Sequence, residues 1–209
     1  ENVLQYLSAY LDEKIKTESG VFTAEDFAYI LVVPLKEGFP GMWSAIGRML
    51  DRDDVEKGVP EMCAALEHLY YDSKNENIIE SLTQVLRCNP NILLAKELLG
   101  YTYYNMQMWG NALSYFEQFE DGKPTSRIFL EGTVYFWMAW CYGKKKDYLK
   151  EEEYYRKSLE ALPIGDNTLN NLGYSLYKQR KFKEAQSVFE DCLRQNRDVR
   201  YAANNLVRT

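Results

Sequence analysis

One ruler runs through residues 59 to 209. Leu172-Gly173 is followed after two residues by Leu176, after eight more by Ala185 and after three more by Phe189. Leu99-Gly100 opens the same series with Tyr103, Ala112 and Phe116, and Pro124 follows after seven more residues. Two looser copies keep the intervals: Met138-Ala139 with Tyr142, Glu151, Tyr155 and Pro163, and Ala65-Leu66 with Leu69, Ile78, Leu82 and Pro90. The second anchor positions are 66, 100, 139 and 173, so the steps are 34, 39 and 34, and one more step of 34 reaches Val207. A fixed period of this length marks a repeat architecture, in which each unit is too small to bury its apolar face alone and must stack on its neighbours.

Within a period the apolar residues have helical spacing. Leu169, Leu172 and Leu176 form one stripe, and Phe182, Ala185, Val188, Phe189, Cys192 and Leu193 form another. The polar stretch "KQRK" between them predicts a turn, and Asp166 or Asn167 is placed to cap the first helix. Pro90 and Pro163 stand where a second helix must stop. Gly100, Ala139 and Gly173 fall in mid-helix, where a glycine costs up to about 1 kcal/mol. That cost is offset where another helix packs closely against the small residue.

The pattern resembles the tetratricopeptide repeat family, whose unit is a helix–turn–helix. The resemblance covers about residues 59 to 209. It departs from the family pattern at Glu151, where a small residue is usual, and around Leu66, where the small residue and the usual alanine are missing. The five extra residues of the longer step are expected in "EDGKPTSRIFLEG", which has turn chemistry at Gly122 and Pro124. The implied fold is all-α, a right-handed α-α superhelix of such repeats. Residues 56–209 form the array of about four repeats, the last one incomplete or a capping helix. Residues 1–55 leave the ruler and read as a helical cap or degenerate repeats. Helices are expected over "NVLQYLSAYLDEKI", over "TAEDFAYILVV" up to Pro34, and over "GMWSAIGRML", with "DRDD" as a solvated linker. The start at Glu1 and the stop inside the first helix of a next repeat favour an excised fragment.

The resemblance also implies a concave groove lined by first-helix residues near each anchor. Tyr101, Tyr104, Phe136, Trp137, Trp140, Tyr174 and Tyr177 then make an aromatic wall, and Asn170, Asn171, Asn204 and Asn205 a column of amides. Aromatic side chains give large contact area at low rotamer cost. An asparagine amide both donates and accepts, so it can satisfy a peptide backbone whatever its side chains. The expected partner is an extended peptide or another protein. A chaperone-tail clamp is not expected, because Glu97, Tyr101, Phe136 and Trp140 stand where lysine and asparagine would be wanted. Packing within the core is the competing role for these aromatics. A second surface is basic: Lys144, Lys145 and Lys146 in one turn and Lys178, Arg180, Lys181 and Lys183 in the equivalent turn of the next repeat form a possible ridge, partly neutralised by Glu151, Glu152 and Glu153. It would suit an acidic partner or a phosphate backbone, or simply be a solvated turn.

Other classes lack their chemistry. His68 is the one histidine, and there is no glycine-rich phosphate loop, so the segment is expected to be non-catalytic and to need no cofactor. Cysteines 63, 88, 141 and 192 are scattered, which gives no metal site and suggests four small buried thiols in the cytoplasm. A net charge of -6 argues against general nucleic-acid binding, and the longest apolar run is far too short to span a membrane. Besides an interaction scaffold, the sequence allows a peptide-sensing module of a larger bacterial-type regulator, or a purely structural spacer.

Overall fold

The computed structural model describes residues 55–69, 74–119, 131–161 and 166–195, with isolated positions 9, 12, 13, 23, 46–48, 50, 51, 53, 203 and 205. Eight α-helices follow in order over the repeat region: α1 Val59–Glu67, α2 Asn75–Cys88, α3 Leu93–Asn105, α4 Trp109–Phe116, α5 Glu131–Lys144, α6 Tyr148–Ala161, α7 Asp166–Lys178 and α8 Phe182–Gln195. The described residues hold no strand, only an isolated bridge at Val55. Each period of the ruler is one helix pair, and the ruler positions are its core. Leu66, Leu99, Met138 and Leu172 are buried on the first helices of the periods, and so are Leu82, Phe116, Tyr155 and Phe189 on the second. Each such large apolar side chain contributes about 1.5–3 kcal/mol by leaving water.

The chain gathers into two compact units. Glu1–Met106 with Pro124–Ile128 forms one, and Gln107–Lys123 with Phe129–Thr209 the other. In the first, α2 packs on α1 and α3 on α2; in the second, each helix from α5 to α8 packs on the one before it. In the second unit the turns inside both repeats share a device. Asp147 N–H donates to the Tyr142 carbonyl and Lys181 N–H to the Leu176 carbonyl, while Lys146 and Arg180 take left-handed backbone angles of φ 64 and 62. This is the Schellman arrangement, which satisfies the last carbonyls of the first helix and reverses the chain. Gln107, at the corresponding point between α3 and α4, has φ 60.

The mid-helix glycine has the expected cause. A Cβ on Gly173 would stand 2.5 Å from the Phe189 ring of α8, so α7 and α8 approach as closely as they do because position 173 has no side chain. The looser repeat proves to be compensated. Glu151 takes the place that Ala112 and Ala185 hold elsewhere, while Gly143 stands where the other copies have Tyr104 and Tyr177. The Glu151 carboxylate fills the space a side chain on Gly143 would need. Glu151 is only 8% exposed, and its Oε2 accepts no hydrogen bond. Burial raises its pKa to about 7, against the opposing pull of the Ser175 hydroxyl on α7 and the Lys144 ammonium on α5.

Several sequence expectations change. α7 has Asp166 as its first residue, so Asp166 and Asn167 both lie within the helix, and the position before it lies outside the described residues. α4 is short and closes in a 3-10 turn, Glu117–Phe119. The expected extra residues after it, Gly122 and Pro124 among them, lie outside the described residues, as does Pro163. Cys63, Cys141 and Cys192 are buried, but Cys88 is half-buried and donates to Glu61 Oε1 at 3.4 Å, so it is not a fourth core thiol. Of the three expected N-terminal helices, Ala9, Asp12 and Glu13 in the first and Ile46–Arg48 and Leu50 in the third are helical; Thr23 is the only described position of the second, and Pro34 lies outside. Asp51 and Asp53 are exposed. Among the described residues, no helix is long and apolar enough to cross a membrane.

Candidate functional site

α7 carries the densest part of the anticipated surface. Tyr174 stands four residues after Asn170, and Tyr177 and Lys178 three and four residues after Tyr174, so both adjoin it on the helix surface. Asn205, one repeat further on, closes over them: its Nδ2 donates to Asn170 Oδ1 at 3.1 Å, and Asn170 Nδ2 reaches Asn171 Oδ1 at 3.5 Å. The three amides thus form one linked row, each half-buried with capacity left for a ligand. Beside the row lies a cleft of about 310 Å³ lined by Tyr174, Tyr177, Lys178, Asn205 and the edge of Phe189. Tyr174 is 42% exposed, unusual for so large a ring. The Lys178 ammonium rides 5.0 Å above it, and hydrogen bonding to its hydroxyl raises the lysine's pKa. Asn204 lies outside the described residues.

The aromatics of α5 divide their surface between packing and solvent. Trp137 stacks on Phe116 of α4 with ring centroids 5.9 Å apart. Phe136 leans on Tyr155 of α6 at 5.7 Å and stacks on Trp140 at 6.5 Å. Lys144 covers Trp140 from 4.6 Å. All three rings remain half-buried. Tyr101 and Tyr104 stand on α3 in the first unit, and both are half-buried.

The basic ridge is less neutralised than the sequence suggests, by one of the three expected carboxylates. Glu151 turns inward and Glu153 pairs with Lys157 at 2.8 Å, so neither faces the ridge. Only Glu152 does, accepting from Lys181 at 2.7 Å, from Arg156 at 2.9 Å and from Gln179 at 2.9 Å. Burial raises its pKa, but these donors outweigh burial and hold it below the usual range. Lys145, Lys146, Arg180 and Lys183 are exposed.

Sequence reading missed the cleft's cation, because Lys178 was grouped with the ridge by its neighbours in the chain. The signal was available: it lies four residues after Tyr174, hence on the same helical face. His68 is half-buried at the end of α1, and burial pushes the Cys141 thiol up to about 12, which leaves it a poor nucleophile. Among the described residues no group of three metal-ligating side chains comes together.

Residues 132–163 and 167–199, which span α5–α6 and α7–α8, match the tetratricopeptide repeat model. No curated protein matches the sequence. Solved structures do share the fold. MamA from Desulfovibrio magneticus RS-1, residues 41 to its end, superposes with a TM-score of 0.64 at 15% identity, covering 85% of this chain and 97% of that one. A MamA structure designated AMB-1 gives 0.63 at 14% identity, over 93% and 94% of the two chains. PilF of Pseudomonas aeruginosa gives 0.59 at 15% identity, over 87% and 88%. At such identities the likeness is one of fold, and these neighbours are helical solenoids built of the same repeat. The pairs α5–α6 and α7–α8 are thus two tetratricopeptide repeats, set in a chain that shares its fold with solenoids built of the same repeat.

Proposed function

We propose that the chain is a non-catalytic interaction scaffold that holds an extended segment of another protein along α7. The observation that carries this reading is the amide row Asn205–Asn170–Asn171 beside the cleft of Tyr174, Tyr177 and Lys178. A row of amides pairs with the alternating donors and acceptors of an extended backbone, so it binds without reading sequence. Tyr174 and Tyr177 add apolar contact at low entropic cost, and Lys178 favours a carboxylate on the ligand. In this reading the half-buried rings Phe136, Trp137 and Trp140 on the preceding repeat extend the ligand's path. The general support is architectural: repeats of this kind serve as protein-interaction modules. The scattered cysteine pattern of the sequence is what supports a cytoplasmic setting.

The test is selection of peptide ligands from a displayed random library, followed by affinity measurement with variants. Asn171→Ala and Tyr174→Ala should each weaken a selected peptide about tenfold or more, with the helical circular dichroism unchanged. Selected peptides that bind both variants as well as the parent would remove α7 as the site.

A further inference from the structure

The turn edge of the second unit is built unlike the rest of the surface. Residues 144–150 read KKKDYLK and residues 178–184 read KQRKFKE, eight cations against two carboxylates in a chain whose net charge is -6. The two turns lie side by side. Gln179 Nε2 donates to the Tyr148 carbonyl at 2.8 Å, and Lys181 reaches Glu152 at 2.7 Å, which brings the α7–α8 turn against the first turn of α6. Each turn also presents an apolar side chain to solvent. Leu149 is 71% exposed and Phe182 is 45% exposed. Neither exposure is needed by the repeat, whose cores are made by Tyr154, Tyr155, Ala185 and Phe189 one turn further in.

We infer that this edge docks on an anionic lipid surface. The argument is complementarity of two kinds at once. Lys145, Lys146, Arg180 and Lys183 are exposed and lie among the two apolar tips. A bilayer's headgroup layer accepts both parts: anionic lipids attract juxtaposed lysines and arginines, and the boundary below them takes in leucine and phenylalanine side chains. A phosphate backbone alone would leave Leu149 unexplained, because an aliphatic side chain neither pairs with phosphate nor stacks on bases. The tips stand at the ends of helical hairpins, where protruding side chains reach a soft surface without a groove. The lack of a membrane-spanning helix among the described residues does not bear on such peripheral contact. Lys178 and Phe182, whose ring packs on Tyr177 at 5.6 Å, adjoin the α7 cleft, but Lys145, Lys183 and Leu149 do not line it, so vesicle binding measured without peptide tests the edge on its own.

The test is co-sedimentation of the whole 209-residue chain with phosphatidylcholine vesicles, with and without about one phosphatidylserine in three. The parent should bind only the anionic vesicles at about 0.1 M salt and leave them at about 0.5 M. Lys145→Glu with Lys183→Glu should abolish binding. Leu149→Ser with Phe182→Ser keeps every charge and should lower vesicle partition about tenfold or more. Both pairs change exposed side chains, and circular dichroism should confirm an unchanged fold. Absence of binding to anionic vesicles at the lower salt would overturn the inference. Undiminished binding by the serine pair would overturn it too, reducing the edge to simple charge adhesion. Binding of soluble polyglutamate, weakened in the serine pair and unaccompanied by vesicle binding, would instead give the edge to an acidic protein.

Discussion

Position 151 shows how a departure from a repeat pattern can be a swap and not decay. A carboxylate stands where alanine serves in neighbouring copies, and the tyrosine that would oppose it is replaced by Gly143. The cost is electrostatic, and its sign follows from the raised pKa of about 7 against an ordinary 4.5. Between these values the native state holds more protons than the unfolded chain, so stability falls as pH rises through that window and is level above it. The loss is at most about 3 kcal/mol, since one pKa unit corresponds to roughly 1.4 kcal/mol. Urea denaturation should therefore give lower stability at about pH 8 than at about pH 5 from this group, and Glu151→Gln should flatten the difference. At position 173 the constraint is steric. Gly173→Ala gains helix propensity but drives its Cβ into the buried Phe189 ring, and a net loss of about 1–3 kcal/mol is expected in the same assay.

At the scale of elements, the intra-repeat turns use left-handed residues that are not glycine. Arg180→Gly relieves the steric cost of φ 62 in a turn whose hydrogen bonds come from the backbone. It should raise stability by about 0.5–1 kcal/mol, read as a higher melting temperature. These turns also show what the sequence conveys and what it conceals. The helix pairs were legible because buried residues such as Leu172, Leu176, Ala185 and Phe189 must recur at helical spacing to meet a partner. The left-handed corners were not, because Lys146 and Arg180 carry no glycine signal. The Gly143–Glu151 exchange was hidden for a related reason: each residue looks anomalous until its neighbour across the hairpin is known. The amides at 170, 171 and 205 could be marked by their recurrence, but only geometry shows that they form one hydrogen-bonded row. Trp137 could be placed on the first helix of its repeat, yet its stacking on Phe116 depends on how α4 meets α5.

At the scale of the molecule, residues 1–55 are proposed as a cap on the array at 56–209. Ile46 and Leu50 are buried, and Gly47 lies so close to α1 that an added Cβ would be 3.2 Å from the Cys63 Cβ. Deleting residues 1–55 should cost about 3 kcal/mol or more through these two side chains alone, with a lower melting temperature for the remainder. An unchanged melting temperature would instead make the segment a separate domain. The central claim concerns α7, and the most direct measurement is amide hydrogen exchange of the chain with and without a selected peptide. The account predicts added protection on α7 and around Asn205, with the 144–150 and 179–184 turns unaffected. Protection confined to those turns, or to the first unit, would contradict it.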